Sequence, residues 1–371
     1  MTITEVKSKE EKKKFVMLPF EIYKGNAYWI PPIIKDEYKI FNTETNPALK
    51  YCDANYWIAE ENGKCVGRIA AIINHNYNEK IGEKMGRFSR LEFENNPSIA
   101  KTLLETAEKW LRGKGMTKVH GPLGFTNLDL QGLLIEGFDR MPSIASVYHL
   151  PYYGEVIEDF GYEKENDWVE FRLELDDDVP EKAVRLVDMI KKRYKLSVKS
   201  FKTTKELIPF GEEVFTLLNK AFDELPYVSE FDDETKKFYS DKYFKILNPE
   251  FVKVVQNDKN ETVGFIVGLP SLSKAMQKCN GKLFPFGFRH VMKALKNPTE
   301  MDLLLTGVEP HLQGQGIPAV LIYELQQVLI KYNVRFVETT GIFETNQKAI
   351  QTWKNYKNEQ HKRRRCYVKT L

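Results

Sequence analysis

The chain has no cysteine pair, no long apolar run and no surplus of charge, and each absence narrows what it can be. Its four cysteines, Cys52, Cys65, Cys279 and Cys366, stand far apart with no C-x-x-C spacing. Neither a disulfide framework nor a thiolate metal site is expected, and reduced thiols suit a cytoplasmic protein. The longest apolar stretches, such as VGRIAAII, fall well short of the ~20 residues that cross a bilayer. The opening MTITEVKSKEEKKKF lacks the apolar core of a signal peptide. No membrane partner is expected. Lys and Arg number 55 against 52 Asp and Glu, leaving +3 over 371 residues. That is too little for the broad basic face that nucleic acid requires. What remains is an ordinary globular composition, 42% apolar and 12% aromatic, long enough for two cores.

The same order of elements is written twice. In the first half, YWIAEENGKCVGRIAAI (56–72) reads as a hairpin turning on Asn62-Gly63. Asn96 and Pro97 open a helix whose Ile99, Leu103, Leu104, Ala107, Trp110 and Leu111 recur at helical spacing. TKVHGPL reads as a strand, a helix ends in IEDFGYEK, and DWVEFRLEL (167–175) is a closing strand. In the second half FVKVVQNDKNETVGFIVGL (251–269) is again a hairpin, with Val263-Gly264 set like Val66-Gly67. MDLLLTGV (301–308) is a strand. A helix from about Pro318 then carries Leu321, Ile322, Leu325, Val328, Leu329 and Tyr332 on one face. VRFVETTGIF, NQKAIQTWKNY and RRRCYVKTL follow as strand, helix and strand. Expected are two α/β domains on mixed sheets, 1–176 and 196–371, joined by a linker helix over 177–195.

HLQGQGIPAVL (311–321) sets two glycines between an apolar strand and a helix. The first amides of a helix lack partners and carry the positive end of its dipole, and glycines let backbone close around a diphosphate. The Q-x-x-G-x-P pattern from Gln313 to Pro318 resembles the Q/R-x-x-G-x-G/A signature of the GNAT superfamily of acyl-CoA N-acyltransferases. Val308 and Pro310 match its V-x-P lead-in, and Asn346 and Ala349 its N-x-x-A spacing. Longer stretches, among them NAYWIPPIIKDE, GPLGFTNLDLQGLLIEGFD and YHLPYYGEVIEDFGYEK, resemble a bacterial group of tandem GNAT-like proteins over nearly the whole chain.

The resemblance implies two tandem acyl-CoA N-acyltransferase-like domains, the first without a coenzyme A loop. It implies coenzyme A or acyl-CoA held by Val308, Gln313, Gly314, Gln315, Gly316, Ala319 and Asn346. No metal is implied. A small-molecule amine or a peptide would be the acceptor, attacking the thioester directly where two strands splay apart. Glu338, Glu344 and Glu300 are the candidate proton acceptors. Two departures stand out. Pro318 replaces a Gly or Ala and has no N–H for a phosphate, and Trp353 falls where many members carry a tyrosine acid.

The first half has EFENNPSIAKTLL where the loop would be. Its polar segment GPLGFTNLDLQG offers Asn127 and Asp129 as acceptor-binding candidates; YHLPYY offers Tyr152 and Tyr153 for the same role and, with His149, as candidate acids or bases. Turn-capping and core roles fit these residues as well. HKRRR (361–365) is the one dense basic run, expected to pair with carboxylates along a final strand. Two other readings stay open: a non-catalytic ligand- or partner-binding protein of this fold, and an aminoacyl-tRNA-dependent peptidyltransferase.

Overall fold

The computed structural model describes residues 1–243 and 247–371. In chain order its strands are β1 (Thr2–Glu5), β2 (Cys52–Glu61), β3 (Lys64–Asn74), β4 (Met85–Phe93), β5 (Lys118–Gly121), β6 (Leu133–Glu136), β7 (Glu163–Glu174), β8 (Ser197–Ser200), β9 (Val252–Gln256), β10 (Thr262–Pro270), β11 (Glu300–Val308), β12 (Phe336–Thr339), β13 (Ile342–Phe343) and β14 (Lys357–Thr370). The chain divides into two compact units. One is Met1–Val169 with Ser273–His290 and His361–Leu371; the other is Glu170–Leu272 with Val291–Gln360. Against an expected boundary at residue 176, the division falls inside β7, and the end of β14 returns to the first unit. Pairing explains the return, because Tyr367–Thr370 of β14 runs antiparallel to Gly121–Lys118 of β5.

The first unit carries the strand order β1-β2-β3-β4-β5-β14, with β6 also on β14. The β2–β3 hairpin turns on Asn62 and Gly63, both at positive φ, as a two-residue turn of this hand requires. The Pro97–Gly113 helix starts where the Asn96 side chain accepts the Ser98 N–H. It buries Ile99, Leu103, Leu104, Ala107 and Leu111, each worth about 1.5–3 kcal/mol where a large aliphatic group leaves water. Glycine makes that close approach possible. A Cβ on Gly67 would stand 2.6 Å from Ile99 Cγ2 and 2.7 Å from Leu103 Cδ1. β4 and β5 pair in parallel over Met85–Arg87 and Lys118–His120. A register slip against β3 between Arg68 and Ala70 puts one extra residue into β4, near Arg90 at φ 51°.

The second unit repeats the plan with the order β7-β12-β11-β10-β9-β8. Its Ile317–Lys331 helix buries Ile317, Val320, Leu321, Leu325 and Leu329. Gly264 lies beneath it, and a Cβ there would meet Ile317 Cγ2 at 3.0 Å and Leu321 Cδ1 at 3.4 Å. In both units, then, a strand glycine faces helix residues four apart. Both also carry a slip in the strand before the helix, here between Val267 and Gly268, which leaves Leu304 of β11 without a counterpart. The likeness of Val66-Gly67 to Val263-Gly264 is a shared packing constraint.

Candidate active site

In the second unit the backbone around residues 313–317 is shaped by two left-handed glycines, Gly314 at φ 79° and Gly316 at φ 84°. Gly316 is the N-cap of the Ile317–Lys331 helix and supplies no side chain to its amides. The Gln315 N–H turns back to Leu312 O and the Ala319 N–H to Gly316 O. Among the described residues, no acceptor takes the amides of Gly314, Gly316 and Ile317. Gln313 and Gln315 turn their side-chain amides onto Val308 O and His311 O, stiffening the approach to the helix. A Cβ on Gly314 would meet nothing within 4 Å, whereas one on Gly316 would stand 2.6 Å from Ile190 Cδ1. Ile190 belongs to the Glu181–Tyr194 helix, so the expected linker segment buttresses the loop. Pro318 occupies the first turn without breaking it.

Beside the loop, β11 parts from its parallel neighbour. The two strands pair only over Glu300–Leu303 and Phe336–Thr339. Thr340 then reaches Leu303 O with its N–H and Leu304 O with its hydroxyl, and Leu304–Thr306 are half exposed. The Glu309 N–H to Val263 O bond makes Gly264 and Val308 a non-hydrogen-bonded pair. Val308 and Thr306 therefore turn their main-chain groups away from β10. Among the described residues their N–H groups meet no acceptor. A bulged strand with outward amides, ending in a glycine turn and an uncapped helix, can bind an extended ligand with an anionic end.

The carboxylates fall into two places. Glu338 Oε1 and Glu300 Oε1 each sit 3.1 Å from Arg172, which stacks on Phe336 with its guanidinium carbon 4.3 Å from the ring centre. Both lie along the paired part of β11 and β12. Glu344 lies past the end of β13, and its main-chain oxygen accepts from Gln347 Nε2. Asn346 Oδ1 accepts the Ala349 N–H at 3.1 Å, so the N-x-x-A spacing is here a helix cap. Trp353 is buried, and its indole N–H has no acceptor among the described residues. The residue lines an apolar recess with Leu303, Leu325, Val337 and Tyr356. Sequence reasoning did not single out Arg172, Thr306 or Ile190. Only Arg172 left a trace, as a charge within the apolar alternation of VEFRLEL.

The first-unit candidates are held in its own framework. Asp129 Oδ2 accepts the Thr126 N–H at 2.9 Å, and Asn127 Oδ1 is buried without a donor among the described residues. Tyr152 and Tyr153 close the position equivalent to Val308. The Phe93 N–H donates to Tyr153 Oη at 3.2 Å and Tyr152 OH donates to Phe93 O at 2.6 Å. Tyr153 and Tyr23 both donate to Glu92 Oε2 at 2.7 Å. Burial raises the Glu92 carboxyl above its usual range, with Arg68 and the two hydroxyls pulling it back. Burial, then the Glu92 charge, drives the Tyr153 phenol well above its ordinary value. Burial also lifts Tyr152, to about 12. His149 Nδ1 accepts the Leu134 N–H, and burial, with Arg364 and Arg68 nearby, pushes the ring down to about 3.

The basic run finds carboxylates. Arg363 and Arg365 converge on Asp167, at 3.1 and 2.9 Å. Burial raises Asp167, but Arg365, Lys164 and Arg363 together outweigh it and hold the carboxyl below its ordinary value. His120, Glu165 and Cys366 form the cluster nearest to a metal-ligand arrangement among the described residues. They hydrogen-bond one another through Glu165 Oε2, at 3.2 and 3.4 Å.

A tandem GNAT protein from the clavulanic acid biosynthesis pathway, solved without AcCoA, superposes on this chain with a TM-score of 0.55. It is 13% identical, and the match covers 100% of this chain and 98% of that one. This is a tandem GNAT fold. No protein-family model matches the chain. Protein YghO of Escherichia coli (strain K12) is 27% identical over 371 residues, covering 98% of this chain and 94% of its own length. The bacterial ceramide synthase of Caulobacter vibrioides (strain NA1000 / CB15N) is 26% identical over 384 residues, covering 100% of this chain and 98% of its own length. No helix among the described residues is long and apolar enough to cross a membrane.

Proposed function

We propose that the second unit binds an acyl-CoA and that the protein transfers its acyl group to an amine. The observation that carries this reading is the contrast between two equivalent strand ends. Phe93 has its N–H and C=O satisfied by Tyr153 and Tyr152, while the Thr306 and Val308 amides, and those of Gly314 and Gly316 beyond them, meet no protein acceptor among the described residues. Such a row suits the amides of a pantetheine arm followed by a diphosphate.

In this reaction the amine nitrogen attacks the thioester carbonyl, the C–N bond forms and the C–S bond breaks. The ammonium proton passes to a carboxylate, and the thiolate leaves to be protonated. We assign proton removal to Glu344, which lies beyond the paired segment of β11 and β12. Glu300 and Glu338 act with Arg172 to fix the strands. The acceptor we favour is a long-chain amino alcohol, because a bacterial ceramide synthase aligns with the whole of this chain.

Calorimetry with CoA, acetyl-CoA and palmitoyl-CoA tests the donor site, and mass spectrometry of reactions with sphinganine tests the acceptor. Binding of a CoA thioester and a new N-acyl product are expected. Absence of binding to all three would sink the donor reading. Acylation of short amines with none of sphinganine would overturn the acceptor.

A further inference from the structure

The segment from Lys282 to Lys296 combines exposed aromatic surface with positive charge and no acid. Phe284, Phe286 and Phe288 are 77%, 65% and 39% exposed, and Met292 is 46% exposed. Over the Gly287–Lys296 helix, Phe288, Val291, Met292 and Leu295 follow i, i+3, i+4, i+7 and share one face. Arg289, Lys293 and Lys296 fall together on the adjoining one. No residue of that helix is buried. Phe284 stacks on Phe288 with ring centres 5.6 Å apart, and the Arg289 guanidinium lies 5.5 Å from the Phe286 ring centre. Not one Asp or Glu occurs from Thr262 through Thr299, although the whole chain is nearly neutral.

The base of this segment is firmly held within the first unit. Ser273 Oγ donates to Pro142 O at 2.7 Å, and Gln277 Nε2 donates to Ala27 O at 2.9 Å. Ile34 N–H donates to Gly281 O at 3.0 Å. A Cβ on Gly281 would stand 2.7 Å from the Phe20 ring, so the chain leaves that anchor by a close backbone approach. A fixed base therefore presents phenylalanines and cations to solvent, an arrangement that a monomeric aqueous surface does not favour.

We propose that residues 282–296 dock the protein on an anionic membrane surface. The phenylalanines and Met292 enter the boundary between headgroups and acyl chains, while Lys282, Arg289, Lys293 and Lys296 meet lipid phosphates. The charge decides the occupant. Four cations beside the aromatic face, with no acid among them, match a negative lipid surface. A second copy of this segment would meet it with like charge. The sequence criterion that excluded a membrane partner tests only for spans. Docking on the interface needs neither a long helix nor acyl transfer to occur.

The test is co-sedimentation of the full chain with vesicles of phosphatidylcholine alone and with 30% phosphatidylglycerol added. It is run at low and high salt with wild type, Phe284→Ser/Phe286→Ser/Phe288→Ser, and Arg289→Gln/Lys293→Gln/Lys296→Gln. All six positions are exposed, and circular dichroism checks that both variants fold. Wild type is expected to bind the anionic vesicles and not the neutral ones. Each variant is expected to bind at least about tenfold more weakly, and only wild type and the phenylalanine variant should lose further affinity in salt. Equal partition of wild type into supernatant with both vesicles would overturn the proposal. So would undiminished binding by both variants, or loss of self-association in the variants with no vesicle binding by wild type.

Discussion

Two glycines two residues apart in sequence and similar in backbone should behave differently when replaced by alanine. Gly314 and Gly316 share φ near 80°, a conformation that costs an L-residue about 1–2 kcal/mol. Gly314→Ala adds only that strain, because its Cβ meets nothing within 4 Å. Gly316→Ala adds the strain and a contact of 2.6 Å with Ile190 Cδ1, and overpacking of this kind costs roughly 1–3 kcal/mol more. At roughly 2–4 °C per kcal/mol for a domain of this size, Gly316→Ala should melt several degrees below Gly314→Ala. Ile190→Val removes the offending carbon and costs about 0.5–1.5 kcal/mol by itself. The Gly316→Ala/Ile190→Val double variant should therefore be less destabilised than the two losses combined, by about 1 kcal/mol or more. Denaturant unfolding of the four proteins measures the coupling. Additivity within about 0.5 kcal/mol would show that Ile190 does not set the loop. Calorimetry separates function from stability: Gly314→Ala, with its methyl on the open side, should weaken CoA binding about tenfold at the cost of its backbone strain alone, a few degrees in melting temperature.

Three further outcomes follow from single contacts. Pro318→Ala restores an N–H in the first turn and should tighten CoA binding about tenfold by calorimetry, the worth of one hydrogen bond to a charged group; unchanged affinity would place the diphosphate elsewhere. Tyr153→Phe leaves the Phe93 N–H unsatisfied in the core and removes one of the two donors to Glu92 Oε2, so it should lower unfolding free energy by about 1–3 kcal/mol while CoA affinity holds. His149 has its folded pKa depressed from 6.5 to about 3 by burial. As pH falls through 6.5 the unfolded chain takes a proton that the native ring refuses, so its contribution is full above 6.5 and lost progressively toward 3. The slope is at most about 1.4 kcal/mol per pH unit. His149→Asn keeps an acceptor for the Leu134 N–H and should flatten acid unfolding over that window.

Local chemistry made much of this fold legible. Asn62-Gly63 named the first hairpin, Asn96-Pro97 and a 3.6-residue period named the first long helix, and the glycines of 313–316 named the loop. The Lys9–Ile22 helix escaped because its charged surface shows little periodicity and Pro19 lies within it. Yet Ser8 and Glu11 form a capping box there, a signal that S-x-x-E spells in the sequence. Non-local facts were out of reach. Nothing in RRRCYVKTL says that its partner is β5, or that Arg363 and Arg365 would meet at Asp167. The slip at Leu304 and the parting of β11 from β12 depend on register, which no single strand records. The Phe284–Met292 surface was passed over for a simpler reason: periodicity marks an apolar face without saying whether anything covers it.

The two equivalent strand ends show how a repeat can keep its packing and lose its opening. Gly67 and Gly264 are retained because a helix lies on each, and that constraint is indifferent to ligands. What differs is who satisfies the outward main chain. In the first unit Tyr152 and Tyr153 do so, and Tyr153 is in turn tied to a buried glutamate that Tyr23 and Arg68 help to satisfy. A buried polar network of this kind is costly to leave half-made, so it closes the position as a structural element and not as a gate. In the second unit side-chain amides of Gln313 and Gln315 cover Val308 O and His311 O, and among the described residues no acceptor takes the Thr306 and Val308 N–H groups. The tyrosines of the first unit come from the Tyr152–Asp159 helix; its counterpart here, Gln347–Gln351, carries no tyrosine, and Trp353 just beyond it lines an apolar recess. Whether the outward main chain of the strand end is covered thus follows the short helix after the strand pair, Tyr152–Asp159 or Gln347–Gln351, and not the glycine loop that first draws the eye.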